Sequence, residues 1–257
     1  MRRFAIAAML ACLPCVAAHG ADTGTGTNAP GAPDVSDSWA LSGDLGAAAL
    51  SVQGSAPGRR VRTRAIPYAY ADFGRLFARE DTFGAKLLPL GWGALEVVAR
   101  VSTEGADSAG PHVASRRSPR PVGVGTFQET PWGGVFVDAF DDTVSGGTLL
   151  EASYAAEVAF GPVTFYPQVG VARRGARYVD HLYGVSATEA AAPGTRPYAP
   201  GASTMPVLGV SAEWLLAPHW VVVAHVERES FDAAIADSPR VNRDGQSAAF
   251  VALARRF

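Results

Sequence analysis

Towards the end of the chain His225, Glu227 and Glu229 stand at alternate positions, which in an extended strand puts three titratable groups on one face. A histidine beside a carboxylate is what general acid/base chemistry needs, provided a nucleophile or substrate groove lies within reach. The sequence points to neither. No Gly-x-Ser-x-Gly elbow occurs, and Ser186 in GVSATEA lacks that spacing. The histidines after residue 20 are His112, His181, His219 and His225, with no HExxH pair and no Cys/His cluster, so no metal site is expected. Gly123 and Gly125 do not open a dinucleotide fingerprint, because the third glycine would fall at Gln128. The plainer reading of the His225 group is charge in contact with water in a polar interior. No catalytic, cofactor-binding or metal-ligating residue is assigned, and the chain is read as non-enzymatic.

The elements that carry these residues follow from composition and periodicity. The chain has 257 residues, 48% of them hydrophobic and 18% charged, which fits an ordered protein of one large domain. A formal net charge of -2 excludes a nucleic-acid binder that relies on a basic surface. After residue 20 no apolar run approaches the ~20 residues of a membrane-spanning helix. Both cysteines, Cys12 and Cys15, lie in the first fifteen residues, so disulfides and cysteine metal sites are excluded from the rest.

Arg2 and Arg3, the apolar run Phe4 to Val16 and the small residues Ala17, Ala18, Gly20 and Ala21 have the form of a cleaved secretory signal, cut after Ala18 or Gly20. Removing residues 1–20 leaves 20 basic residues against 24 acidic ones, a net charge of -4. Residues 21–37 (ADTGTGTNAPGAPDVSD) are small, polar and rich in Gly, Pro and Thr. Such a stretch cannot bury enough apolar surface to offset its chain entropy and is expected to be a flexible periplasmic leader. Residues 38–257 are expected to form one domain.

That domain has a period of two. Leu95, Val97 and Ala99 alternate with Glu96, Val98 and Arg100; Leu150, Ala152 and Tyr154 with Glu151, Ser153 and Ala155; Leu208, Val210 and Ala212 with Gly209, Ser211 and Glu213. Each segment has an apolar face and a mixed face, and runs to about ten residues against ~5–6 for an ordinary strand. A soluble sandwich would turn the apolar face inward, whereas an outer-membrane barrel turns it to lipid. Three features favour the barrel: the export signal, the full charges among small residues on the mixed face, and the aromatic residues near segment ends. The charges expected in the lumen are Glu96, Arg100, Glu151, Glu157, Glu213, His225, Glu227 and Glu229. The aromatics Trp39, Phe73, Phe160, Trp214, Trp220 and Phe257 are expected to form girdles at both interfaces. Phe257, Arg255, Leu253 and Val251 share a face, like the C-terminal insertion signal read by the barrel assembly machinery.

The expectation is therefore an all-β protein: an antiparallel transmembrane β-barrel of about twelve strands, with ten as the alternative. Tyr178 to Ser186 is a candidate for part of a further strand. Thr130-Pro131, Gly161-Pro162 and Ala217-Pro218-His219 are expected as tight periplasmic turns. Thr103 to Arg120, Arg173 to Ser203 and Asp232 to Gln246 are the expected surface loops. Two basic runs, Arg59, Arg60, Arg62, Arg64 and Arg116, Arg117, Arg120, either pair with lipopolysaccharide phosphates at the outer rim or form solvated loops. Asp44 and Asp72 are candidates to neutralise part of that charge.

Four stretches stand out: WALSGDLGAAAL (Trp39 to Leu50), RAIPYAYADFGRLF (Arg64 to Phe77), YGVSATEA (Tyr183 to Ala190) with Tyr198-Ala199-Pro200-Gly201, and Ser238-Pro239-Arg240-Val241 leading to Arg256-Phe257. In them the sequence resembles the MipA/OmpV (MltA-interacting protein) family of Gram-negative outer-membrane proteins. Tyr183, Gly184, Val185 and Ser186 with Tyr198, Pro200 and Gly201 are the most specific part. The chain departs from the family's pattern at Gly54 to Arg60 and in its ARRF ending. The resemblance implies a scaffold that brings a murein hydrolase and a murein synthase together at the outer membrane, with no cofactor. A porin-like channel for small solutes is the alternative, and a surface adhesin or lipid-modifying barrel enzyme is a third reading. The expected partners are outer-membrane lipid and lipopolysaccharide, the barrel assembly machinery and murein enzymes, with no nucleic acid.

Overall fold

A computed structural model describes residues 39–53, 61–102, 115–191 and 196–257. The expected signal (1–20) and leader (21–37), His112, Arg59, Arg60 and the Gly54 to Arg60 departure lie outside the described residues, as does the first part of the Thr103 to Arg120 loop.

The described chain is a run of β-segments: β1 (Leu41–Gln53), β2 (Arg62–Phe73), β3 (Leu76–Arg79), β4 (Thr82–Leu90), β5 (Gly93–Arg100), β6 (Pro121–Thr130), β7 (Gly133–Asp142), β8 (Thr148–Ala156), β9 (Val158–Phe160), β10 (Val163–Arg174), β11 (Ser203–Ala217), β12 (Trp220–Ser230) and β13 (Gly245–Arg256). Every pairing is antiparallel, and β13 returns to β1, so the sheet closes on itself. β8 and β9 both pair with β10 and form one stave interrupted at Glu157. The result is a barrel of twelve staves, the larger of the two counts expected. Tyr178 adds no strand: it belongs to α1 (Ala176–Tyr183), whose Tyr178, Val179, Leu182 and Tyr183 recur at helical spacing and are buried. No described helix is long and apolar enough to cross a membrane.

The period of two becomes the two faces of the wall. Leu95 is half-buried and Val97 exposed on the outside, while Glu96, Val98 and Arg100 are buried within. On β13, Val251 and Leu253 face out and Ala252 and Ala254 face in. An apolar exterior over a polar, small-residue interior is the order of a barrel in lipid, the reverse of a soluble core.

One rim carries both ends of the barrel and five two-residue connections, at residues 74–75, 91–92, 131–132, 161–162 and 218–219. The last three are the expected turns. Gly74, Gly91 and Gly161 have φ of 60°, at the first loop position, where type II′ hairpins require a residue tolerant of positive φ. Trp39, Phe73, Trp92, Trp132, Phe160, Trp214, Trp220 and Phe257 are exposed around this rim. The expectation of two girdles is corrected. At the opposite, loop-bearing rim the exposed large hydrophobics among the described residues are aliphatic, as at Val61, Val101 and Val122, apart from Phe83 on the low β3–β4 hairpin.

The loop rim is uneven. The β3–β4 connection turns at Glu80 and Asp81 after only four residues of β3, with Glu80 at φ 56°. Above this hairpin β2 pairs with β1 alone from Arg62 to Tyr68.

The interior is packed from both walls. Tyr68, Leu50 and Phe250 from one side meet Phe136 and Tyr166 from the other in a single cluster. A second cluster joins Phe77, Phe140, Leu149 and Met205 to the inner faces of α1 and of α2 (Ala233–Ala236), so the loops seat an apolar lid in the mouth.

Candidate functional site

Inward parity brings the lumenal charges to one space, and most find an opposite charge on a stave one to three away. Arg79 of β3 meets Glu96 of β5 in a two-pronged pair, both N···O distances 2.8 Å, with its guanidinium 4.1 Å from the Phe77 ring centre. Arg100 of β5 bonds Glu151 of β8 and Thr82, with Asp81 at 3.7 Å. Arg174 of β10 donates to Glu229 of β12 at 3.0 Å with the two side chains 0% and 2% exposed, and Gln246 donates to the same carboxylate at 2.7 Å. Arg256 of β13 holds Asp44 of β1 at 2.9 and 2.8 Å and Glu213 of β11 at 2.7 Å. Lys86 pairs with Asp72 at 3.0 Å. Charges taken from water survive only with partners of good geometry, and here the pairs also cross-brace the wall.

Seven of the eight charges expected in the lumen, Glu96, Arg100, Glu151, Glu213, His225, Glu227 and Glu229, are buried inside. Glu157 departs: it is exposed at the break between β8 and β9, where the alternation lapses. Asp44 and Asp72 serve Arg256 and Lys86, not the basic runs at the rim. The cationic partners of Glu96, Glu229 and Asp44, which are Arg79, Arg174 and Arg256, were not expected in the lumen from the sequence, although each has the inward parity of its strand.

The His225 group divides. Glu229 is engaged by Arg174, while Glu227 lies 3.6 Å from His225 Nε2. The opposite strand brings Ser211 into register with His225, its Oγ 2.7 Å from Nδ1, a pairing the sequence did not single out. A hydroxyl, an imidazole and a carboxylate in a row resemble a nucleophile with its base, but Ser211 is 0% exposed and the imidazole stacks on Phe250, their centres 5.3 Å apart. The row acts as a hydrogen-bond brace between β11 and β12.

The residues of the quoted motifs converge on the mouth. Ser186 and Glu189 form a capping box: Ser186 N and Oγ donate to Glu189 Oε2 at 3.0 and 2.9 Å, and Glu189 N donates to Ser186 Oγ at 3.3 Å. Arg116 clasps the same carboxylate at 2.9 Å and donates to the carbonyls of His181 and Gly184. This Arg116 pairing holds the Glu189 carboxyl down at about 2. Burial and the neighbouring Arg116 lower Arg240 to about 10. Gly184 ends α1 where a Cβ would sit 2.3 Å from Asp180 Oδ1. Val185 bridges to Tyr198, whose hydroxyl donates to Ala234 O at 3.0 Å, and Ser238 Oγ donates to Tyr183 O at 2.6 Å. Pro200 is buried and Pro239 half-buried beside them, while Gly201 stands in open space. Arg116 is thus spent on the lid; Arg117 and Arg120 are exposed.

At the other end of the barrel the backbone of Phe257 exchanges hydrogen bonds with Gly43, and its ring lies outward beneath Arg255.

Comparison with known proteins agrees with this architecture. The putative outer membrane protein YiaT of Escherichia coli (strain K12) is 25% identical over 211 residues, covering 78% of this chain and 85% of YiaT. The MltA-interacting protein of the same organism is 27% identical over 134 residues, 51% of this chain and 54% of that protein. The family described as MltA-interacting protein MipA matches residues 45–257. With a closed twelve-stave barrel and a match over most of its length, this chain belongs to the MipA family of outer-membrane proteins.

Proposed function

We propose that the protein is a non-enzymatic scaffold of the Gram-negative outer membrane, exported by residues 1–20, that holds a murein hydrolase and a murein synthase at its periplasmic side. The observation that carries this reading is the filled lumen: aromatic side chains from opposite walls meet in it, ion pairs bridge staves two and three apart, and α1 and α2 lid the mouth. Such an interior supports a structural anchor better than a porin-like channel. The partner class comes from the name of the MltA-interacting relative. In this reading the turn rim faces the periplasm, and the leader at 21–37 adds the reach that two-residue turns lack. β13 with Phe257 engages the barrel assembly machinery during insertion.

The test pairs two measurements on the mature protein. Planar bilayers containing it are expected to stay electrically silent, while a purified murein hydrolase of the MltA type is retained on the immobilised barrel and released when residues 21–37 are deleted. Uniform conductance steps without hydrolase binding would move the assignment to a channel.

A further inference from the structure

Among the described residues, the low hairpin between β3 and β4 leaves the barrel wall incomplete on one side. Four residues at about 3.3 Å each, tilted by roughly 40°, raise it only ~10 Å above the turn rim, against an apolar band ~25 Å tall. Above Glu80 and Asp81 the free side of β2 therefore looks into the leaflet next to the loop rim. Glu80 N donates to Ala69 O, so the backbone polar groups of Ala69, and by alternation those at 67, 65 and 63, point at the gap. At 67 the residue is proline, which removes one donor from an edge that would otherwise be unpaired. An open edge facing hydrocarbon is not tolerated, and among the described residues nothing pairs with this one, so the opening favours an occupant that can meet both apolar surface and polar groups.

Behind the gap lies a cavity of about 210 Å³. Leu50, Ile66, Tyr68 and Phe250 line it from inside, and Pro67 and Val101 from the wall, so it communicates with the outside. Its sill is acidic, but Asp81 lies against Arg100 and Glu80 faces inward to within electrostatic reach of His225. Higher up, opposite Leu50, Arg64 enters the cavity with its Nε buried and, among the described residues, without a hydrogen-bond partner. A cation above an apolar slot is complementary to a headgroup phosphate above an alkyl chain.

We propose that this notch is a lateral binding site for one acyl chain of lipid A, the phosphorylated lipid of the outer leaflet, with the phosphate on Arg64 and the chain along Leu50, Ile66 and Phe250. The proposal rests on the outer-membrane placement above but not on the scaffold role, whose pull-down can fail without touching it.

The test uses the mature barrel in detergent, with bound lipid A counted by native mass spectrometry and its affinity measured by titration against phosphatidylcholine. Arg64→Ser removes the cation and Ile66→Trp fills the slot. Arg173→Ser, an exposed arginine of β10 bonded to Thr204, is the control. One lipid A per wild-type barrel is expected, with affinity falling about tenfold in each of the first two variants and unchanged in the third, all three running as folded barrels on unheated gels. Equal retention by folded Arg64→Ser and Ile66→Trp would overturn the site. Equal loss in Arg173→Ser would reduce it to a general rim charge, and equal affinity for phosphatidylcholine would remove the lipid A assignment.

Discussion

The pair between Arg79 and Glu96 tests whether the lumen is dry. Glu96→Ala deletes the acceptor of two charge-assisted hydrogen bonds of 2.8 Å, each contributing about 1.5–3 kcal/mol net. Both side chains are more than nine-tenths buried, so the stranded guanidinium keeps the ring faces of Phe77 and Phe127, at 4.1 and 4.9 Å, and no hydrogen-bonded carboxylate among the described residues. Those contacts are already made in the wild type and offset nothing, so the expected net loss is ~3–5 kcal/mol, as for other buried pairs cut on one side. Removing both partners as Arg79→Met with Glu96→Leu leaves no buried charge, and is expected to fall within ~1.5 kcal/mol of the wild type. The assay is urea unfolding in phospholipid vesicles, followed by fluorescence of the five tryptophans and by the gel shift between folded and heated protein. A Glu96→Ala barrel within about 1 kcal/mol of wild type would refute the reasoning, because water would then be solvating Arg79 and the interior would be wet.

Three further outcomes follow from the lid and the hairpins. The Glu189 carboxyl sits at about 2, below its unfolded value, so its contribution is complete above about pH 4.5 and is lost as pH falls towards 2. Hydrogen exchange in α1 should accelerate in that window, and Glu189→Gln should be fast at neutral pH with no acid step. Ser186→Ala removes half of the capping box and should destabilise the lid by about 1 kcal/mol, read as faster proteolysis after Tyr183 with the barrel's unfolding midpoint unchanged. Glu80→Gly relieves a side chain held at φ 56° and should stabilise the barrel by up to ~1 kcal/mol in the same urea assay; a loss would show that the carboxylate itself holds the turn.

The wall was legible in the sequence because strand parity is a local property: Leu95 to Arg100 and Val251 to Ala254 state which side faces lipid without reference to the rest of the chain. Parity also placed the carboxylates inside. It cannot say which strand stands opposite, so the partners Arg79, Arg174 and Arg256, and Ser211 across from His225, emerged only with the register. Glu157 failed for a related reason, since one break in the pleat cancels the rule beyond it. Tyr178 to Ser186 misled because its aromatic and aliphatic residues suit either a strand or a short helix, and Gly184 ends the helix through a contact with Asp180 visible only in three dimensions. The same holds for YGVSATEA: its residues were recognisable as a pattern, while their work, tying Arg116, Arg240 and Tyr183 into one lid, is set by segments far apart in the chain.

The pairing of Arg256 with Asp44 joins residues 212 positions apart, across the seam where β13 meets β1. Neither edge of the sheet can be satisfied until that final strand arrives, so every unfinished intermediate carries two open edges and an uncompensated Asp44. Long-range closure of this kind is slow. The barrel can therefore close only once its last strand is in place, and the seam arginine makes completion an electrostatic event as well as a topological one.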